Sequence, residues 1–485
     1  MGKIIQSLPA IINDNKKTLL LIIVAVSLII FAIPRIHYNL FWGDECYSII
    51  SAQSFDNLLK YAYTDGANPI LYYLILYICV SVFGGTPETY HLVSFIPWII
   101  ILILSITWIR KKFGSFVSLI FMILATLLET SFYYLVEVRS YELDILFMLL
   151  GFLFLLEILQ KHEKKHYYCF IIVSLLGAYS HYYCILASIF LYFILLVDSW
   201  FINKQYKKMF AFTVVATIIG YSPWLILKMS TIAKSSTTMW MKTVPSIKEC
   251  IESFFLSSFS QMLFLAMIIC SAIIIFNNIK KSKNDNQPPS PETLWIIAGV
   301  CAVIGSILVS VLFSTLISPV LVTRYLFPVS VIAWLLLSYS AVHCCNDIKV
   351  KNVIIIAIVG LVLITGIPHC QVVLFNEKNS EAFTERTLER LDFIEEGDYI
   401  LSDVDHFDWT ILDYYLPGIE HTTKPINPYE LPEIDKERQN FLFIYETMDE
   451  KIEGQLSLQG LGYETIMEDA HIQGLNFKVY EITVL

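Results

Sequence analysis

Charged residues are scarce in this chain of 485 residues. They make up 16% of the sequence and hydrophobic residues make up 56%, whereas about 25% of a typical soluble protein is charged. The apolar residues stand in runs of roughly 16 to 24 residues, long enough to cross a hydrocarbon core about 30 Å thick. The composition therefore excludes an ordinary soluble protein and predicts a chain that crosses a membrane many times.

Signatures of several other classes are also missing. The ten cysteines all lie at or before Cys370 without a Cys-x-x-Cys pair, so neither a disulfide framework nor a zinc site is predicted. The sequence has no basic face with interleaved aromatic residues, so nucleic acid is not expected as a partner. The first apolar run, residues 18–33, has no small-residue cleavage site after it, which is typical of an uncleaved anchor.

Clusters of Lys and Arg predict the topology, because positively charged loops stay in the cytoplasm. Between each neighbouring pair of clusters the chain must leave and return, which gives about eleven membrane-spanning helices. The short, tyrosine-rich run 69–83 is predicted to lie in the membrane interface, inside a long outer loop of residues 34–89. The clusters are at 16–17, 110–112, 161–165, 204–208, 280–283 and 349–351. The predicted spans are 18–33, 90–109, 113–130, 141–159, two short crossings within 166–197, 209–227, 258–276, 293–312, 321–342 and 352–369.

The carboxyl-terminal part differs from the rest. Of the net charge of -10, residues 371–485 carry -17 and residues 1–370 carry +7. The long apolar runs end there, and the hydrophobic pattern predicts one helix and several short strands. We therefore predict two domains, a membrane domain of residues 1–370 and a small extracytoplasmic α/β domain of residues 371–485. The predicted helix is 380–396, and the strands are 398–402, 440–446 and 476–483.

The first candidate site follows the first span, where Asp44 and Glu45 stand among aromatic residues in the stretch FWGDECY. A helical pattern of apolar residues after it predicts an amphipathic surface helix. Asp44 could simply be the N-cap of that helix and Glu45 a first-turn carboxylate. Carboxylates at the hydrocarbon boundary are costly, however, and also suggest base catalysis or metal binding.

The second candidate site lies in the next outer turn, where Glu137 and Arg139 stand in the stretch YYLVEVRSYE. The alternative to a functional role is an exposed salt bridge between them, which would contribute at most about 1 kcal/mol. Both outer turns combine acidic groups with aromatic residues, which favours a shared role.

Two later outer turns add basic groups. His181 and Tyr182 lie in the third turn, where a lone histidine beside tyrosines is often an interfacial anchor. Arg324 and Tyr325 lie near the start of the tenth span, where the arginine could extend its side chain to the lipid headgroups. Arg324 is also placed to bind a lipid phosphate through its planar, permanently charged donors.

These motifs, in this order and on one predicted face, resemble the polytopic GT-C glycosyltransferases. In particular, they resemble bacterial members of the glycosyltransferase family 39 type, similar to dolichyl-phosphate-mannose protein mannosyltransferases and lipid A aminoarabinose transferases. The resemblance covers about residues 18–345, with His91 standing where an arginine is expected. It rests on Asp44-Glu45, Asn68-Pro69-Ile70-Leu71-Tyr72-Tyr73, Glu137-x-Arg139-x-Tyr141, His181-Tyr182 and Arg324-Tyr325-Leu326.

The resemblance implies an all-α membrane body of the GT-C fold that takes a sugar from a polyprenyl-phosphate donor and inverts the anomeric carbon. The acceptor would be an extracytoplasmic glycan, lipid or protein, in a multi-pass protein of the cell membrane. By position, Asp44 would be the base, with Glu45 and Glu137 as further catalytic carboxylates. A divalent metal on these three is left open. Substrate and phosphate binding would fall to Arg139, Tyr141, His181, Tyr182, Arg324 and Tyr325.

Two other classes remain as alternatives. A transporter or lipid flippase commonly has ionisable residues at mid-membrane and repeated halves, whereas the candidate charges here gather at helix ends. A non-catalytic scaffold would use the acidic tail to bind an envelope partner.

Overall fold

The computed structural model shows a helical body followed by a small mixed sheet. It describes residues 2–65, 68–235, 243–255, 259–402, 409–422, 438–445, 456, 461–473 and 475–484.

The helices occupy most of the described chain. In chain order they are α1 (Gly2–Ala32), α2 (Gly43–Ser51), α3 (Phe55–Thr64), α4 (Ile70–Phe83), α5 (Pro87–Leu104), α6 (Arg110–Phe113), α7 (Ser115–Leu127), α8 (Glu129–Tyr134), α9 (Tyr141–Lys161), α10 (Lys164–Ser180), α11 (Tyr182–Val197), α12 (Lys207–Ser235), α13 (Ile247–Glu252), α14 (Ser260–Asn284), α15 (Pro291–Leu316), α16 (Phe327–His343), α17 (Ile348–Arg390) and α18 (Trp409–Tyr415).

Among the described residues, eight helices are long and apolar enough to cross a membrane, which makes the chain a multi-pass membrane protein. Their ranges are Asp14–His37, Pro87–Phe113, Tyr182–Ile202, Lys204–Met229, Ser260–Asn284, Pro291–Leu316, Thr323–His343 and Ile348–Arg390. Three more predicted spans coincide with helices outside these eight. Of these, α7 and α10 have only 13 and 17 residues, and α9 carries Glu142, Asp144 and Glu157. The count of eleven stays a prediction.

Helix α4 occupies the run that was predicted to lie in the interface. Its 14 residues span about 21 Å at 1.5 Å per residue, less than the roughly 30 Å of a hydrocarbon core. Its length therefore agrees with a helix that does not cross the membrane by itself.

Helix α16 lies at the centre of the membrane bundle. In its apolar stretch 94% of the residues are buried, and the helix packs against α7, α9, α14 and α15. Indole groups tie this core together: Trp334 Nε1 donates to the carbonyl of Phe254 at 2.7 Å, and Trp295 Nε1 to that of Phe152 at 3.0 Å. A glycine is required at position 366 of α17, because a Cβ there would lie 2.3 Å from the carbonyl oxygen of Leu127.

Two compact units make up the chain. The membrane unit comprises residues 1–36, 62–75 and 91–371, and the second unit comprises 37–61, 76–90 and 372–485. The second unit thus includes two segments of the predicted outer loop. The division into two functional domains at residue 370 stays a prediction.

The second unit contains a five-stranded sheet in the order β2-β1-β3-β5-β4. Strand β1 pairs in parallel with β2 and β3, whereas β5 pairs antiparallel with β3 and β4. Three strands lie where they were predicted, although residue 446 lies outside the described residues. The strands are β1 (Tyr399–Ser402), β2 (Glu420–His421), β3 (Asn440–Tyr445), β4 (Leu461–Ile472) and β5 (Leu475–Val484).

The prediction of separate helices at 352–369 and 380–396 was wrong. Residues 352–369 and 380–390 lie in one continuous helix, α17, of 43 residues with Pro368 inside it, and this helix ends at Arg390, before residues 391–396. Near residue 371 the composition changes from apolar to charged, but the helix continues. Its backbone hydrogen bonds can form whichever side chains the helix carries.

Candidate functional site

Between α8 and α9 the chain makes an irregular turn that carries Glu137 and Arg139. Helix α5 holds this turn through two polar side chains. His91 Nδ1 lies 2.7 Å from the carbonyl oxygen of Val136, and Ser94 Oγ donates to the carbonyl of Glu137 at 2.5 Å. His91, which stands where the resemblance implied an arginine, therefore supports the backbone of the turn.

Glu137 and Arg139 are only 4% and 7% exposed, so the alternative of an exposed salt bridge does not hold. Arg139 Nη2 lies 3.7 Å from Asp65 Oδ2, and Nη1 donates to the hydroxyl of Tyr73 at 3.4 Å. That hydroxyl also donates to Asp65, which accepts a further bond from the backbone N–H of Asn68 at 3.1 Å. Asp65 therefore holds Arg139 in place.

Sequence reasoning missed Asp65, although a signal was present. An Asp three residues before an Asn can accept from that residue's backbone N–H and fix a turn. The motif on which the resemblance rests begins at Asn68, three residues after Asp65, and so does not include this carboxylate.

Lys228, on α12, was missed as well. Its side chain is almost completely buried, and Nζ donates to the carbonyl oxygens of Tyr63 at 2.7 Å and Asp65 at 2.6 Å. It also lies over the ring of Trp224, 5.4 Å from the centroid. A lysine near the end of a membrane-spanning run ordinarily extends its side chain to the headgroups, so the sequence alone does not indicate that this one is buried.

His181 caps the start of α11. Its Nδ1 accepts a hydrogen bond from the backbone N–H of Tyr183 at 3.1 Å, which assigns the proton of the neutral ring to Nε2. The side chain is 1% exposed, and Nε2 has no hydrogen-bond partner among the described residues. Burial, followed by the positive charge of Arg139, lowers the pKa of His181 to about 3, and Arg324 acts in the same direction. His181 is thus a neutral, buried donor, and its burial argues against the interfacial-anchor alternative.

Arg324 lies in a short 3-10 turn, Thr323–Leu326, and lines a cavity of about 640 Å³. Tyr134 also lines this cavity. Burial and the charge of Glu137 raise the pKa of Tyr134, and the charge of Arg324 opposes the rise. Other residues lining the cavity include Glu129, Glu249, Glu252 and Phe327.

Aromatic rings connect these groups. The ring of Tyr141 lies 4.7 Å from Tyr134 and 6.4 Å from His181, and the His181 ring lies 5.4 Å from Tyr325. Tyr182, half-buried, is the first residue of α11. The membrane unit therefore brings together the predicted residues Arg139, Tyr141, His181, Arg324 and Tyr325 with Glu137.

Asp44 and Glu45 belong to the second unit, in the first turn of α2. The N-cap is Trp42 and not Asp44, so the N-cap alternative for Asp44 is wrong. Glu45 takes the capping role, because its Oε2 accepts from the backbone N–H of Trp42 at 3.3 Å. Asp44 itself is buried.

Metal binding was left open for Asp44, Glu45 and Glu137. In the described part of the chain, no group of three or more His, Cys, Asp and Glu side chains has a geometry that could hold a metal ion. The described residues thus do not form such a site, and the proposed function does not include a metal.

Comparisons with known proteins place this geometry in a known fold. No family model matches the chain, and no curated protein matches it. Among solved structures, the chain is similar to ArnT from Cupriavidus metallidurans in the apo state, with a TM-score of 0.62 at 11% identity over 95% of this chain and 97% of ArnT. It is also similar to ArnT from the same organism bound to undecaprenyl phosphate, with a TM-score of 0.57 at 12% identity over 96% and 97% of the two chains.

The likeness spans the membrane helices and the small sheet together, so the chain has the ArnT fold over its full length. The predicted architecture, a helical multi-pass membrane body with a small C-terminal α/β domain, is confirmed. At 11% identity a shared fold leaves the chemistry to be argued from the site itself.

Proposed function

We propose that the chain is an integral membrane glycosyltransferase that moves a sugar, with inversion, from a polyprenyl-phosphate donor to an extracytoplasmic acceptor. The observation that carries the proposal is the buried Nε2–H donor of His181, which has no partner among the described residues. The positive charges of Arg139 and Arg324 both act electrostatically on this ring. A buried donor beside fixed positive charge suits an anion, because desolvating an unpaired polar group is costly.

A lipid phosphate fits this cluster chemically. Arginine guanidinium groups bind phosphate oxygens with two parallel donors, and Lys228 adds positive charge next to Asp65. As the bond from the anomeric carbon to the phosphate oxygen breaks, its electron pair passes to the phosphate. Donors already in position stabilise that developing charge without reorganisation. The undecaprenyl phosphate bound to the similar ArnT structure supports this choice of ligand.

The remaining roles follow from the resemblance. Asp44 would accept the proton of the acceptor hydroxyl. The hydroxyl oxygen of the acceptor would at the same time attack the anomeric carbon from the face opposite the phosphate. Glu45 would shape the start of α2, and Glu137 would be the acidic group of the second turn. Tyr141, Tyr182 and Tyr325 would line the donor site. The acceptor class, whether glycan, lipid or protein, is set by the shape of the site.

The test is turnover by purified protein in phospholipid vesicles supplied with polyprenyl-phosphate sugars, with an envelope extract as the source of acceptor. We expect loss of the lipid-linked sugar and its transfer to the acceptor. Movement of a solute or lipid across the vesicle without consumption of the donor would instead support the transporter or flippase.

The proposed orientation places the C-terminal domain outside the cell membrane. The tail contains no cysteine, so a cysteine at the exposed Thr465 of β4 adds a reporter that the wild type, whose ten cysteines lie elsewhere, does not have. A membrane-impermeant thiol reagent should label Thr465→Cys on intact cells. Labelling only after lysis would place the tail inside.

A further inference from the structure

The segment just before Asp44 has no regular secondary structure. Residues 38–42 belong to neither a helix nor a strand, yet Leu40 and Phe41 are buried. Buried backbone groups outside helices and strands need partners from elsewhere, because leaving them unpaired costs free energy. In this segment the partners come largely from the C-terminal part of the chain.

Helix α18 supplies two bonds to the backbone of the segment. The N–H of Phe41 donates to the hydroxyl of Tyr415 at 2.8 Å, and Thr410 Oγ1 donates to the carbonyl of Gly43 at 2.9 Å. Gly43 begins α2 and immediately precedes Asp44. These bonds therefore fix the point from which the helix with Asp44 starts.

Asn39, two residues before Phe41, is held in the same way. Its N–H donates to Glu381 Oε1 at 2.7 Å, and its Oδ1 accepts from the hydroxyl of Tyr414 at 2.8 Å. The Tyr414 ring also packs edge-on against Phe41, with centroids 5.3 Å apart. The C-terminal part thus contacts the segment along its length.

Helix α18 is in turn attached to the sheet. His421 Nε2 lies 2.8 Å from Asp413 Oδ1, and His421 is in β2, which pairs with β1. A continuous path of contacts runs from the sheet through α18 to the start of α2. Residues 37–61 and 372–485 accordingly form one compact unit, whereas a separate binding module would cluster by itself.

We propose that the C-terminal domain is a positioning element for Asp44, acting through Thr410, Tyr414 and Tyr415 on the segment that leads into α2. The proposal rests on the proposed function, in which Asp44 is the base. Orientation matters to such a group, because a displacement of about 1 Å can cost about 100-fold in rate.

The variants Thr410→Val and Tyr415→Phe each remove one hydroxyl while keeping the shape of the side chain. We expect each to lower turnover at saturating donor by roughly 10-fold, and the double variant by roughly 100-fold, with the affinity for polyprenyl phosphate unchanged. Thr410→Ser keeps the hydroxyl donor and should turn over at the wild-type rate, unlike Thr410→Val. Thr465→Val, an exposed threonine of β4, is the matched control.

Unchanged turnover in the double variant would overturn the proposal. So would an equal loss of turnover and of phosphate affinity, since a purely structural role would lower both. A failure of Thr410→Ser to restore turnover would also overturn it.

Hydrogen exchange gives a readout that does not need activity. The amides of Phe41 and of the first turn of α2 should exchange faster in the double variant than in the wild type, and unchanged exchange would overturn the proposal. If the wild type transfers no sugar but exchange still responds, the proposed function fails and the positioning contact stands.

Discussion

Replacing His181 by Asn separates two interactions of one side chain. Asn is a favourable N-cap residue, so its side-chain oxygen can still accept from the N–H of Tyr183. It is too short to place a donor where His181 Nε2 lies. The variant should therefore fold normally and lack only the donor that the proposed function assigns to the lipid phosphate.

The size of the effect follows from the charge of the ligand. A hydrogen bond to a charged group contributes about 1.5–3 kcal/mol, and each 1.4 kcal/mol is a factor of ten. We expect the dissociation constant for polyprenyl phosphate to rise roughly 10- to 100-fold in His181→Asn, with the thermal unfolding midpoint close to that of the wild type. Titration of the purified protein in nanodiscs measures the affinity.

The pH dependence gives a second check on His181. Its pKa is lowered to about 3 by burial and by Arg139, so the ring is neutral throughout pH 5–8. The ratio of wild-type to His181→Asn affinity should therefore be constant over that range. A wild-type affinity that rises as the pH falls through 6.5, and does so only when His181 is present, would mean that His181 gains a proton in this range and is not a neutral donor.

Three further predictions concern groups that fix the site. Asp65→Asn breaks the contact with buried Arg139 and should lower the free energy of unfolding by about 3 kcal/mol, measured by thermal unfolding in detergent. Lys228→Met removes two bonds to the backbone carbonyls of Tyr63 and Asp65, and the two substitutions should be non-additive by roughly 0.5–3 kcal/mol in a double-mutant cycle. Burial lowers the pKa of His421, but its bonds to Asp413 and to a backbone carbonyl outweigh this and raise it. The stability that His421 contributes is thus full below about pH 6.5 and is lost as the pH rises through the raised pKa, an effect that His421→Asn should remove.

Matched substitutions make these predictions specific. Asp56→Asn, on the exposed face of α3, and Lys208→Met, at the exposed start of α12, should leave stability unchanged. An equal loss of stability in either control would mean that charge removal in general, and not the buried network, is responsible. Strict additivity of Asp65→Asn and Lys228→Met would contradict their coupling through one segment.

The sequence predicted the membrane helices well because long apolar runs need little tertiary information to be recognised. It also identified Arg139, Tyr141, His181, Arg324 and Tyr325 as candidates that come together in the membrane unit. Each stands at a helix end beside a turn, where the local pattern is informative.

What the sequence could not provide were partners that are distant along the chain. Asp65 meets Arg139 across 74 positions, and Lys228 meets Asp65 across 163. Thr410 meets Gly43 across 367. No local periodicity encodes such pairs, because they are set by tertiary packing. The continuous helix α17 was missed for a different reason: the change from apolar to charged residues near position 371 was interpreted as the end of a helix.

In the proposed function, Asp44 is the base for sugar transfer from a polyprenyl phosphate. The most direct measurement compares wild type and Asp44→Asn in vesicles that contain a polyprenyl-phosphate sugar and the envelope acceptor, with lipid-phosphate binding measured in parallel. We expect transfer by the wild type, and binding without transfer by Asp44→Asn at equal abundance. Equal transfer by the two proteins would contradict this role of Asp44.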